Sequence, residues 1–524
     1  MTEGHNKMRS IRLRILITCV VLAIVGVGGW QLLPSDNSGQ KVITVGTTDV
    51  VTSLDPAGAY DAGSWALFGN VYQSLLTFKP SSVTPVPDAA KKCDFVGSGL
   101  MTYRCEVRDD ITFANGHKLT AEDVKFSVDR VATIKSDQGP LPLFSTLKST
   151  EAKGQTVTFH LRSRDATFPL KIATGAGAIV DHTEYPADKL RTDHGADGSG
   201  PYVIKSYDDG VRAHLAPNPS YHGAIGETGG PVDIRYFKTS ADLAKAWKAK
   251  KVDVTHRQMP PAVIAGLDTS AEDIRMNEAD SAEIRNLVFN VRQGSPMSQL
   301  PVRKAIAAVI DRDKIVTDVF DSTVDPLYSL VPQGITSHST AFFDEFPEPN
   351  VDEAKQLLGD AGISTPVEFS LGYAPGGTAG PEAAELRKQL EATGLFKVKT
   401  IGKPWTTFQK DYANGEFDAY TVGWLPDFPD PDNFIAPLVG ADSALQGGYE
   451  SKRVDQLITA TQQFGERGQA ADDFKELQQV IARDVPVVPL WQKKDYVLSS
   501  AEVTGAQYLS DGTGIWRLWE LGWI

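Results

Sequence analysis

The sequence predicts a mixed α/β fold in an exported chain, on three observations. Short β-rich stretches alternate with amphipathic helical patterns from Lys41 onward, with no fixed-period repeat and no low-complexity tract. The 524 residues are 41% hydrophobic and 23% charged, which fits a folded protein and excludes disordered or collagen-like chains. A basic cluster followed by a long apolar run opens the sequence. At roughly 100–200 residues per domain, the length suggests two to four domains or lobes. The formal charge of −14 is spread along the chain, and such an acidic surface repels phosphate backbones, arguing against nucleic acid as a partner.

Lys7, Arg9, Arg12 and Arg14 precede the apolar run at residues 15–33. At about 1.5 Å per residue, a helix of this length approaches the roughly 30 Å of a bilayer core. Basic residues ahead of it predict a cytoplasmic tip and an exported remainder. The run ends Gly-Gly-Trp-Gln-Leu-Leu-Pro, with no A-x-A cleavage site, and Cys19 lies inside it instead of closing it. A retained membrane anchor is the first expectation, a cleaved signal the second and a lipoprotein the third. Residues 34–40 (PSDNSGQ) read as a flexible tether.

Two cysteines remain in the exported part. Cys93 and Cys105 flank a Gly97-Ser-Gly99 turn and a returning strand, so an oxidising compartment predicts one disulfide; two free thiols are the alternative. Strands are expected at 42–47, 156–161, 202–206 and 233–237. Helices are expected at 121–131 (capped by Thr120), 241–248, 302–310, 351–359, 381–393, 454–464 and 468–482.

Catalytic signatures are missing: the chain has no HExxH, GxSxG, P-loop or strand-linked GxGxxG. Ser145-Thr-Leu-Lys148 matches SxxK, but no KTG follows, and the chain reads as a non-enzyme. The histidines are scattered, none four residues from another. Convergence of His182, His194, His214 and His222 is the one route to a metal, and neither metal nor cofactor is expected.

An ordered series of short motifs carries a resemblance. It begins at Ser53-Leu-Asp-Pro56, Asn70-Val-Tyr-Gln-Ser-Leu-Leu76, Tyr103-Arg-Cys-Glu-Val-Arg108 and Leu119-Thr-Ala-Glu-Asp-Val124. It continues through Gly198-Ser-Gly-Pro-Tyr202, Asn218-Pro-Ser-Tyr221, Asn286-Leu-Val-Phe-Asn290 and Ile310-Asp-Arg312. It closes with Gly415-Glu-Phe-Asp418, Gly423-Trp424, Asp430-Pro-Asp-Asn-Phe434 and Pro486-Val-Val-Pro-Leu490. In this order the motifs resemble the family 5 extracellular solute-binding proteins of ABC transporters, the oligopeptide and dipeptide type.

The resemblance implies a two-lobed clamp of the periplasmic-binding-protein kind that encloses a peptide and delivers it, as a monomer, to ABC permease subunits at the outer face of the membrane. Residues 41–285 would form the first lobe with an N-terminal subdomain, 286–491 the second, and 492–524 a return to the first. The chain would cross between lobes near 282–286 and 490–494. Trp516, Trp519 and Trp523 would then pack back on the first lobe, with a sugar-stacking patch as the alternative. A nickel chelate, an oligosaccharide or a signalling peptide are the alternative cargoes, and an exported serine hydrolase is the third reading.

By the same resemblance Asp427 pairs with the ligand's amine, although Asp430 and Asp432 lie close enough for the register to shift, and a solvated acidic loop is the alternative. Trp424 and Trp405 are candidates to flank the ligand, or to be core. Tyr60 and Asp61 are candidates to face it from the first lobe. One departure stands out. The dipeptide-binding pattern places an arginine just before the helix starting at Pro381, where this chain has Tyr373-Ala-Pro-Gly-Gly-Thr-Ala-Gly380 and no basic residue before Arg387. That departure predicts a longer peptide over a dipeptide clamped at both ends.

Overall fold

The computed structural model describes residues 41–80, 82–226, 228–510 and 515–524. The basic cluster, Cys19, the apolar run at 15–33 and the tether at 34–40 lie outside the described residues. Among the described residues no helix is long and apolar enough to cross a membrane.

Two long antiparallel strands, Ile274–Phe289 and Val487–Ser500, form the middle of an 11-stranded sheet. On one flank lie Val254–Thr255, Ile43–Thr47, Val232–Tyr236, Arg212–Pro217 and Tyr202–Asp208. On the other lie Ala419–Trp424, Val367–Tyr373 and Phe396–Gly402, and the eleventh strand, Val324–Pro326, pairs with Val487–Ser500 outside this order. The helix Ala379–Ala392 carries the chain from Val367–Tyr373 to the parallel strand Phe396–Gly402, as a parallel pair requires. The expected strands and helices all form, with ends shifted by a few residues. Thr156–Leu161 falls where expected, and Ala121–Ile134 starts at Thr120, whose N–H donates to Asp123 at 2.8 Å.

Burial divides the molecule into two lobes. One apolar core is built from residues 282–491 alone. A second combines residues 43–254 with 497–521, and a third belongs to a subdomain spanning 57–179. Trp516 is buried in the second core, and Trp519 and Trp523 pack against it, so the C-terminal tryptophans are packing residues. The central strand pair runs through both lobes, and its register breaks between Asp280 and Ile284 and between Arg285 and Asn286. The second break skips Leu490, next to Pro489, which has no N–H to offer the ladder.

Cys93 and Cys105 sit opposite each other on the strands Ala90–Phe95 and Thr102–Val107, 4.1 Å apart at Cα, and form a disulfide. It closes a short loop in the subdomain sheet, and loops of this size are stabilised by roughly 3 kcal/mol. Replacing both cysteines by serine is therefore expected to lower the melting temperature by several degrees, checked by calorimetry against the unreduced protein. No change in melting temperature would mean that the strand pairing alone holds the hairpin.

Candidate ligand-binding site

The segment after the strand Ala419–Trp424 reads Leu425-Pro-Asp-Phe-Pro-Asp-Pro431. Its prolines restrict each preceding residue to extended backbone, so the segment leaves the second-lobe sheet. Phe428 ends 2% exposed inside the core of the first-lobe subdomain. This one aromatic anchor sets Asp427 at the junction of the lobes.

Asp427 accepts hydrogen bonds from the Tyr60 hydroxyl at 2.8 Å and from Asn433 Nδ2 at 3.0 Å, and its own N–H donates to Asn433 Oδ1 at 2.7 Å. Burial pushes its carboxyl up to about 6, while the Asn433 and Tyr60 hydrogen bonds pull the other way. The two neighbouring aspartates do other work. Asp430 takes a bidentate fork from Arg467 at 2.8 and 3.0 Å. Asp432 accepts from Gln462 Nε2 at 2.8 Å, and burial, then the charge of Asp430, pushes it up to about 7. The carbonyl of the same Gln462 accepts the Ala166 N–H at 3.1 Å, a second bridge between the lobes.

Tyr60 and Asp427, 367 positions apart in sequence, thus meet directly. Trp424 is half-buried against the second-lobe core just before the crossing segment, and its indole N–H is buried without a hydrogen-bond acceptor. Asp61 is taken up locally: its carboxylate caps the helix Ala62–Val71, accepting from Ser64 N at 2.8 Å, from Ser64 Oγ at 2.9 Å and from the Thr52 hydroxyl. Trp405 starts the helix Trp405–Ala413 against Phe408 and is 51% exposed, away from the cavities described below. Ser145 and Lys148 are both exposed to solvent. His182 and His214 bind separate carboxylates, Asp123 at 2.7 Å and Asp233 at 2.6 Å, and among the described residues no potential ligand group joins two of the four named histidines.

Two cavities adjoin this junction. The first is lined by Trp65, Phe68 and Tyr72 of the first lobe and by Leu425, Pro426 and Asp427 of the second. The other, of about 730 Å³, is lined by Pro260, Glu283, Arg285, Gly377, Glu382 and Trp491 among others. Arg257 lines both. Neither Arg257 nor Phe428 was signalled by the sequence, because a lone arginine or phenylalanine in a loop carries no spacing pattern.

Two lobes threaded by one strand pair, with a carboxylate and cavities where they meet, define a two-lobed solute-binding clamp. The model of "Bacterial extracellular solute-binding proteins, family 5 Middle" matches residues 84–446, and the chain belongs to that family. It is 25% identical to a probable D,D-dipeptide-binding periplasmic protein of Escherichia coli, over 95% of this chain and 96% of that one. It is 22% identical to heme-binding protein A of Haemophilus influenzae, over 83% and 84% respectively. Among solved structures, an ABC transporter-associated periplasmic binding protein from Helicobacter pylori in complex with the peptide STSA superposes with a TM-score of 0.78 at 20% identity, covering 92% of this chain and 98% of that one.

Proposed function

We propose that this chain captures peptides between its lobes and hands them to an ABC importer without making or breaking a covalent bond. The observation that carries this reading is the partly buried Asp427 carboxylate held at the lobe junction by Tyr60 and Asn433. An ammonium group entering there gains a charge-assisted hydrogen bond in a desolvated site. Relatives named for dipeptides support the cargo class. A ligand that touches both lobes favours the closed state by its differential affinity for it, and permease subunits then read that state.

On this reading residues 41–285 and 492–524 make the first lobe and 286–491 the second, with the breaks in the central strand pair serving as the hinge. The chain acts as a monomer at the outer face of the membrane, tied there by residues 15–33, a placement that rests on the basic and apolar sequence alone. The test is calorimetric titration with tri-alanine and its N-acetylated form. Binding of the free amine, lost on acetylation, supports the amine anchor. Equal binding of both forms would remove Asp427 from that role.

A further inference from the structure

We infer that Arg257 is the anion-binding residue of this clamp and holds the free carboxylate of a short peptide whose amine sits at Asp427. The inference rests on the peptide reading above and adds the ligand's second charge.

The first support is an unused set of donors. Arg257 is 8% exposed, yet among the described residues its guanidinium donates no hydrogen bond. Its ion-pair contact is Asp49 Oδ2 at 3.6 Å, and that buried oxygen accepts no hydrogen bond either. Two other arginines show the contrast. Arg130 forks onto Asp55 at 2.9 and 2.7 Å and also donates to two carbonyls, and Arg467 forks onto Asp430. A buried guanidinium with idle donors is costly unless a further partner arrives, and a carboxylate matches its planar fork.

The second support is position. Arg257 lines the cavity that Asp427 also lines, so one space carries an anion from the second lobe and a cation from the first, alongside Asp88, whose carboxylate is taken up by Gln73, Tyr221 and the Ala224 N–H. A peptide with free termini is the complementary zwitterion. Ligand ends held by different lobes reward closure only when both charges are present. The turn Tyr373–Gly380 supplies no cation from the second lobe, so the first lobe provides it. The larger cavity that Arg257 also lines leaves room for the side chain beside the carboxylate.

Backbone conformation is the third support. Arg257 and Gln258 both adopt left-handed φ, 61° and 56°, between the strand Val254–Thr255 and the helix Pro261–Ala265. Two successive side chains there are strained, and strain of this kind persists where the surroundings fix a residue for use. The preceding His256 is fully buried and anchored by its N–H to Gly46 O at 3.0 Å.

The test is titration calorimetry of the full chain with Ala-Phe and Ala-Ala-Phe, each as free acid and as C-terminal amide. The free acids are expected to bind roughly 30-fold tighter, the gain from hydrogen bonds to a charged group. Arg257→Gln is expected to weaken free-acid binding to the level of the amide, and Arg257→Lys to give an intermediate loss because it keeps charge but not the fork. Equal binding of acid and amide by the native protein would overturn the inference while leaving the peptide reading intact. If Arg257 only balances Asp49, the double variant Asp49→Asn, Arg257→Gln would restore free-acid affinity, and that recovery would also overturn it. Binding of neither form would remove the peptide reading and the inference together.

Discussion

Peptide binding is expected to be lost in Asp427→Ala, with Kd raised by at least about 100-fold and the fold retained. On the proposed reading the carboxylate meets the ligand's ammonium, and its two neighbouring aspartates are engaged elsewhere: Asp430 with Arg467 and Asp432 with Gln462. The variant leaves the Tyr60 hydroxyl and the Asn433 amide without their shared acceptor, which costs about 1–3 kcal/mol, well within the stability of a folded domain. Calorimetric titration with one free-amine peptide, alongside a thermal melt, checks both halves. Wild-type affinity in the variant would place the amine anchor elsewhere.

The same carboxyl gives a pH dependence with a defined sign. Burial, partly offset by the Asn433 and Tyr60 hydrogen bonds, raises it from 3.8 to about 6 in the ligand-free protein. Affinity for an ammonium therefore falls as pH drops below about 6, since the protonated form carries no charge to pair. Stability moves the opposite way: a raised native value means the ligand-free fold gains stability as pH falls through 6 toward 3.8 and loses it as pH rises. Asp427→Asn is expected to flatten the affinity profile around pH 6 and to remove its own share of the stability slope, leaving that of Asp432, which burial raises to about 7.

The largest loss of stability is expected from Asp55→Ala, about 3–5 kcal/mol, the range for breaking one side of a buried ion pair. Asp55 is 1% exposed and receives both Arg130 donors at 2.9 and 2.7 Å, the Ala57 N–H at 3.0 Å and the Arg191 N–H at 2.8 Å. Removing it strands the Arg130 guanidinium in the interior, where no other carboxylate takes its place among these contacts. Denaturant unfolding followed by circular dichroism measures the effect, and the folded fraction is expected to bind peptide as before because Asp55 lines neither cavity. A loss under 1 kcal/mol would show that water enters and solvates Arg130.

Asp55 also shows how the sequence should be read. It belongs to Ser53-Leu-Asp-Pro56, a motif that pointed to the family, yet its role is internal: it ties three segments of the first lobe together. Local features were legible because their causes are local. The Cys93 and Cys105 pair, the Thr120 cap and the strand at 156–161 follow from spacing and short-range hydrogen bonding. Asp61 has a local role of the same kind, since an aspartate three residues before Ser64 is an ordinary helix cap, and that role occupies its carboxylate. Trp405 could be read as cleft or core, and its half-exposed place at a helix start rules out the core.

What remained hidden depends on contacts between lobes. The choice among Asp427, Asp430 and Asp432 could not be made from their spacing. The structure separates them by partners elsewhere in the chain, Tyr60 for the first, Arg467 for the second and Gln462 for the third. Arg257 emerged only once its donors were found idle and the cavity it shares with Asp427 was seen.

The most direct test of peptide capture is native mass spectrometry of the full chain, purified from the cells that make it without denaturation. An added mass that fragments as peptide, present in the native protein and absent from Asp427→Ala, is the predicted result. An added mass that fragments as haem, sugar or a metal chelate, unchanged by that substitution, would contradict it.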